Sequence, residues 1–132
     1  MIGLDTNVLV RLFVDDNAAQ VAAARRFVAS RCTNDNPGFV NRITLCEMVW
    51  VLTRVHGYNR DQTVSVIEEL LASRDVTLED SNAVHAALDL FVTRGIDFAD
   101  GLIAVINLAH GCEVTATFDR KAARLDGFVR VR

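Results

Sequence analysis

Five acidic residues stand where this chain is expected to change direction: Asp5, Glu47, Asp97, Asp100 and Asp119. Each falls at the end of a short apolar stretch or in the opening turn of the helix that follows. In an open parallel sheet, strand carboxyl ends and the next helix starts share one edge, where such folds take their ligands. Carboxylates gathered there repel one another, and either proton uptake or a bound cation relieves the repulsion. Hard oxygen donors without His or Cys favour Mg²⁺ or Mn²⁺ over Zn²⁺. An ion so held leaves positions open for water and phosphate oxygens, which is the equipment of phosphodiester hydrolysis.

Each acid also has a structural explanation. Thr44-x-x-Glu47 reads as a capping box, in which Glu47 reaches back to the Thr44 amide. Asp97 reads as a helix N-cap, with Asp100 favoured in the first turn by the helix dipole. Asp5 stands before Thr6-Asn7 as a cap would, and Asp119 before Arg120-Lys121 suits an ordinary turn. The two sets of roles are compatible, because a helix start both holds and aims a carboxylate. Covalent catalysis is not expected: no Ser or Cys is paired with a His in a catalytic arrangement, and His56, His85 and His110 read as helix-end or surface residues.

The elements that position these acids are short. Ile2 to Leu4 reads as a strand, followed by a helix over Asn7 to Val14 and an Ala-rich one over Asn17 to Ala29. Asn34 to Gly38 is a turn cluster before a brief strand at Phe39-Val40. Thr44 is expected to open an apolar helix to His56, closed by Gly57. A helix over Asp61 to Ser73 and a strand over Val76 to Leu78 follow. Asp80 or Ser81 caps the next helix, which ends at Gly95. Asp97 to His110 forms a second strongly apolar helix, closed by Gly111. Glu113 to Phe118 reads as a strand, Arg120 to Leu125 as one or two helical turns, and Phe128 to Val131 as a last strand. Helices apolar on all sides are expected to be buried or shared with another subunit. Strands alternating with helices predict an α/β fold around a short parallel sheet.

Composition agrees with one domain spanning residues 1–132. The chain has 132 residues, 51% of them hydrophobic and 23% charged, with a formal net charge of −3. This excludes a disordered tail, and it is not the basic profile of a protein that coats nucleic acid. The mean hydropathy of +0.22 leaves apolar surface for a partner. Nearly all of the positive charge is Arg, with Lys121 the only Lys. Cys32, Cys46 and Cys112 are odd in number and lack CxxC spacing, so they read as buried small apolar side chains in a reducing compartment. No export signal is visible at the N-terminus and no stretch is long enough to span a membrane, so a cytoplasmic location is expected.

Four stretches then carry a resemblance: Leu4-Asp5-Thr6-Asn7-Val8-Leu9-Val10, Glu47 in its helix, Asp97-Phe98-Ala99-Asp100-Gly101-Leu102-Ile103-Ala104, and Thr117-Phe118-Asp119-Arg120. Together, and in this order, they resemble the PIN-domain ribonucleases, most closely the VapC-type toxins of prokaryotic toxin–antitoxin pairs. The resemblance implies a three-layer α/β/α sandwich and metal-dependent endonucleolytic cleavage of RNA. It assigns Asp5, Glu47, Asp100 and Asp119 as ligands of Mg²⁺ or Mn²⁺. Asn7 and Thr117 match polar positions lining the pocket, and Asp97 stands as a supporting group or substitute ligand. Gly101 departs from the pattern, where Ala is common. A cognate antitoxin and a homodimer are further implications of the resemblance. Arg11, Arg42, Arg120 and Lys121, with Arg94 and Arg124, are the candidates for holding RNA.

The residues are also compatible with two other readings. A phospho-transfer domain also uses an Asp after its first strand, but it wants a second acid where this chain has Asn7. A non-catalytic interaction domain would use the acids only as helix caps.

Overall fold

Strands of two or three residues, each ending at a polar turn, leave room for little except helices between them. The computed structural model describes residues 1–132 and is mixed α/β with parallel strands throughout. Met1–Ser81 and Asn82–Arg132 form two compact units.

The first unit runs β1 (Ile2–Gly3), α1 (Thr6–Arg11), α2 (Ala18–Arg31), β2 (Gly38–Val40), α3 (Arg42–Arg54), α4 (Arg60–Ala72) and β3 (Val76–Leu78). Its sheet has the order β1-β2-β3, with Ile2 opposite Gly38 and Gly38 opposite Val76. The pairing continues just past the strands, where the Leu4 amide donates to the Phe39 carbonyl at 2.9 Å. That bond keeps the chain extended up to the residue before Asp5. Leu9, Val10, Val40, Leu45, Met48, Leu52 and Ile67 are almost fully buried and form the apolar interior against which α1 and α3 are fixed.

Three asparagines set the helix starts in this unit. Asn17, Asn41 and Asn59 each accept a backbone N–H from the first turn of α2, α3 and α4 respectively. Helix α3 therefore begins at Arg42 and not at Thr44. The Thr44 amide donates to Asn41 Oδ1 at 2.8 Å, so Thr44 lies inside the first turn and the expected Thr44–Glu47 capping box does not form. Asparagine wins here because its side chain caps at least as well as threonine's and stands where the backbone is still extended (φ −78°, ψ 169°).

The second unit contains α5 (Ser81–Arg94), which begins at the junction, then α6 (Phe98–Ala109), β4 (Thr115–Thr117), a single 3-10 turn (Ala122–Arg124) and β5 (Phe128–Arg130). Strands β4 and β5 pair in parallel, Thr115 opposite Phe128 and Thr117 opposite Arg130. These two strands form a sheet of their own, separate from β1-β2-β3. Gly95 ends α5 with φ of +64°, a conformation that costs glycine nothing. Val84, Ala87, Phe98 and Leu102 are almost fully buried.

Helices α3 and α6, expected to be buried or shared with another subunit, are not buried on all sides within this chain. Ile43 and Trp50 on α3 are 71% and 59% exposed, and Ile103 and Leu108 on α6 are 49% and 68% exposed. Each helix buries one stripe against its neighbours and leaves the rest of its apolar surface to solvent. Of the cysteines, all free, only Cys32 is buried, while Cys112 is exposed. No helix is long and apolar enough to cross a membrane.

Candidate functional site

In the first unit, one threonine ties two carboxylates together. Asp5 caps α1 and accepts the Thr6 amide on Oδ1 at 2.9 Å. Thr6 is buried, and its hydroxyl donates to Glu47 Oε2 at 3.0 Å. Asp5 follows directly on β1, while Glu47 projects from the second turn of α3, so the strand end and the helix are linked through a side chain of α1. Glu47 thus caps nothing: its partner is a hydroxyl 41 residues away in sequence. Thr6 was not singled out from the sequence, although it sits inside the D-T-N stretch. A hydroxyl beside an acid, on the first turn of a short helix, was the available signal.

Asn7, the neighbouring polar candidate, is exposed and makes no hydrogen bond to a carboxylate. It lines a cleft of about 570 Å³ between α1 and α2, with Val8, Arg11, Gln20 and Phe27.

In the second unit, three acids line a second cleft. Asp97, Asp100 and Asp119 border a hollow of about 290 Å³ together with Lys121. Asp97 is the N-cap of α6 and accepts the Ala99 and Asp100 amides on Oδ1 at 3.1 and 3.4 Å. Asp119 holds the turn after β4, accepting the Lys121 and Ala122 amides on Oδ1, both at 2.8 Å. Thr117 steadies that turn from the other side, its hydroxyl accepting the Asp119 amide at 3.0 Å. Asp100 has no hydrogen-bond donor at all. Partial burial pushes its carboxyl above the usual aspartate range, and the negative charges of Asp97 and Asp119 push it further.

Charge compensation is absent where it would be expected. The four ion pairs of the chain involve Asp16, Glu79 and Asp80, and none reaches Asp5, Glu47, Asp97, Asp100 or Asp119. Two of the candidate RNA contacts are spent on those pairs. Arg11 meets Asp16 at 3.4 Å and donates to Gln20 Oε1 at 3.1 Å. Arg42 meets Glu79 at 3.4 Å and Asp80 at 4.0 Å. Arg120 and Lys121 are exposed and form no ion pair. His56 is near Asp16 at 3.9 Å, and His110 Nδ1 lies 2.9 Å from the Ile106 carbonyl, so neither faces an acid of the candidate set.

Neither unit presents a group of three or more His, Cys, Asp or Glu side chains arranged as a ready metal cage. The donor chemistry nevertheless fits a hard divalent ion. The donors are all carboxylate oxygens, the acids of the second unit are mutually repelling, and Asp97 and Asp119 engage only Oδ1 with the backbone. Mg²⁺ is ordinarily held by one or two carboxylates and keeps several waters, so it does not need an all-protein cage.

The family model of the PIN domain matches residues 2–128. Among curated proteins, none matches the chain.

Proposed function

The chain belongs to the PIN domain family, whose members are generally metal-dependent nucleases, and from that premise we propose that it is an endoribonuclease that hydrolyses RNA phosphodiesters with Mg²⁺ or Mn²⁺. The observation that carries this reading is Asp100. It is a partly buried carboxylate with no hydrogen bond and no cation, raised in pKa by burial and by Asp97 and Asp119. Such a group is held at a cost to folding, which a bound cation offsets.

In this reading Asp100 and Asp119 are the carboxylates of the second unit that would hold an ion, and Asp5 and Glu47 those of the first. When bound, such an ion activates water, neutralises phosphate charge and stabilises the leaving oxygen. The side chains of this protein position and balance. Asp97 fixes the start of α6 and so the place of Asp100 in the cleft. Thr6 orients Glu47 through its hydroxyl, and Thr117 holds the turn from which Asp119 projects. Lys121, lining the same cleft, supplies positive charge for a phosphate. Water attacks phosphorus in line and the 3′ oxygen leaves, so no side chain bonds covalently to the substrate and a 5′ phosphate results.

Cap duty accounts for Asp5, Asp97 and Asp119, and this favours a competing reading in which the acids only start helices and turns. It does not account for Glu47 or Asp100, which cap nothing. Incubating the chain with single-stranded RNA in Mn²⁺ or in EDTA separates the two. Cleavage that needs the ion and is abolished in Asp5→Asn and Asp100→Asn, with folding retained, supports the nuclease. Full activity in either variant overturns the site.

The finer reading is the toxin of a toxin–antitoxin pair, acting in the cytoplasm as a homodimer restrained by a cognate antitoxin. Its support is the resemblance of the four stretches to VapC-type toxins and the apolar surface of Ile43 and Trp50 on α3. Light scattering with and without the product of the adjoining gene tests it. A strict monomer with no affinity for that product removes the partner reading.

A further inference from the structure

Among the chain's 14 Lys and Arg residues Lys121 is the only lysine, and it lines the cleft bordered by Asp97, Asp100 and Asp119. Three carboxylates beside one ammonium would ordinarily draw it into an ion pair. It enters none of the four that the chain forms. The ammonium lies instead against Gly95, another residue of the cleft wall. A Cβ added at Gly95 would stand 3.3 Å from Lys121 Nζ and 3.5 Å from its Cε.

Both ends of this contact are fixed by backbone bonds. The Lys121 amide donates to Asp119 Oδ1 at 2.8 Å, and the next residue, Ala122, is buried, so the root of the side chain is held. Gly95 follows α5 at a φ of +64°. The Ile96 amide beside it donates to the Leu90 carbonyl at 3.4 Å, and Ile96 is buried too. Glycine therefore serves twice at position 95. It takes the left-handed backbone, and it leaves open the space that the lysine head occupies. Any other side chain would begin closer to the ammonium than nearly all Cβ contacts allow, and the head would have to move.

The cleft thus offers two kinds of contact. Its carboxylates suit a divalent ion, and its ammonium, paired with none of them, suits an anion. A phosphate group answers both, with one oxygen toward the ion and another toward the ammonium. Charge then decides between phosphate species. A monoester carries about −1.5 to −2 charge at pH 7 and three free oxygens. A diester within a strand carries a single charge and has two.

We propose that Gly95 is a positioning residue for the Lys121 ammonium, and that the pair makes this cleft a subsite for a phosphate monoester, the 5′-phosphate end that a cut leaves behind. The inference deepens the nuclease reading and rests on it for the source of that phosphate. The product end then competes with the next strand for the same cleft.

Nuclear magnetic resonance of ¹⁵N-lysine-labelled protein in Mg²⁺ tests it, because the only lysine gives a single side-chain nitrogen signal. Uridine 5′-monophosphate is the probe, and uridine, its 5′-methyl phosphodiester and inorganic phosphate are the comparisons. The monophosphate shifts the Lys121 signal and binds more tightly than all three. By titration calorimetry, Lys121→Ala weakens the monophosphate by about tenfold to a hundredfold, the range of a charge-assisted hydrogen bond. Gly95→Asn accepts the left-handed backbone but adds the Cβ. It moves the Lys121 signal before any ligand is added and weakens the monophosphate as well. In the Lys121→Ala background it has no further effect, since the ammonium it displaces is gone.

A Lys121 signal unmoved by the monophosphate overturns the proposal, as does unchanged affinity in Lys121→Ala. Additive losses in the double variant overturn the positioning role of Gly95. Equal affinity for the phosphodiester overturns the preference for a strand end, and equal affinity for inorganic phosphate assigns the cleft to the free ion instead. Lys121-dependent binding by a chain that never cuts RNA in Mn²⁺ removes the nuclease reading and leaves the subsite standing.

Discussion

The Thr6 hydroxyl donates to Glu47 Oε2 at 3.0 Å, while the Thr6 amide donates to Asp5 Oδ1 at 2.9 Å. One residue thus holds two of the proposed ligands from opposite ends. Replacing Thr6 with Val keeps the shape and deletes the donor to Glu47. Groups that orient metal ligands are commonly worth about 10–100-fold in metal affinity or activity. Thr6→Val is expected to lose Mn²⁺ affinity in that range by isothermal titration, and Thr6→Ser to keep most of it. Equal affinity in all three proteins rules out the orienting role.

Asp100 predicts a pH dependence with a definite sign. Its carboxyl is raised from the ordinary value of 3.8, so the folded state keeps that proton to higher pH than the unfolded state does. Unfolding free energy therefore falls as pH rises from about that value through the raised one. In EDTA, Asp100→Asn is expected to melt higher than the parent at pH 7 and to match it near pH 3. Adding Mg²⁺ at pH 7 is expected to narrow or reverse the gap, since binding to the folded state stabilises by mass action. A lower melting temperature for Asp100→Asn in EDTA at pH 7 contradicts the repulsion.

The start of α3 distinguishes a cap from a ligand. Asn41 accepts the Thr44 amide at 2.8 Å, so Asn41→Ala is expected to destabilise by about 1 kcal/mol in denaturant titration. Glu47→Gln, which removes charge from a side chain that caps nothing, is expected to leave the metal-free midpoint nearly unchanged while abolishing Mn²⁺-dependent cleavage. The reverse ranking of stabilities restores the capping-box reading.

Gly101 lies inside α6, where glycine weakens a helix. A Cβ added there meets the Ala87 carbonyl oxygen at 3.5 Å and Ala87 carbons at 3.7 Å, which is ordinary contact. Gly101→Ala is therefore expected to stabilise by about 0.5–1 kcal/mol, read as a higher melting temperature. A lower one shows that the added methyl is not accommodated.

The alternation of strands and helices was legible because each apolar stretch ends at a polar turn or a glycine. Gly57, Gly95 and Gly111 all take positive φ at the helix ends where the pattern sets them. The start of α3 was misread because Thr44-x-x-Glu47 satisfies a local rule that Asn41, three residues earlier, satisfies better. The pairing of β4 with β5 apart from the other strands was invisible, since strands of three residues carry too little pattern to name their partners. Among the acids, the cap roles of Asp5 and Asp97 followed from local spacing. The Thr6–Glu47 bond spans 41 residues and no local rule reaches that far. Asp100 could be preferred to Asp97 only through family likeness. The structure adds a physical distinction between them, since Asp97 is occupied by backbone amides and Asp100 by nothing.

Asp5, Asp97 and Asp119 each hand one oxygen to the backbone. This decides how an inactive form of the protein should be made. Alanine at any of these positions removes a charge and a backbone acceptor together, so a dead variant would confound chemistry with a loosened turn. Asparagine keeps an oxygen for the amide and gives up only the charge. The amide substitutions are thus the ones suited to trapping an uncut substrate on a scaffold that has not moved.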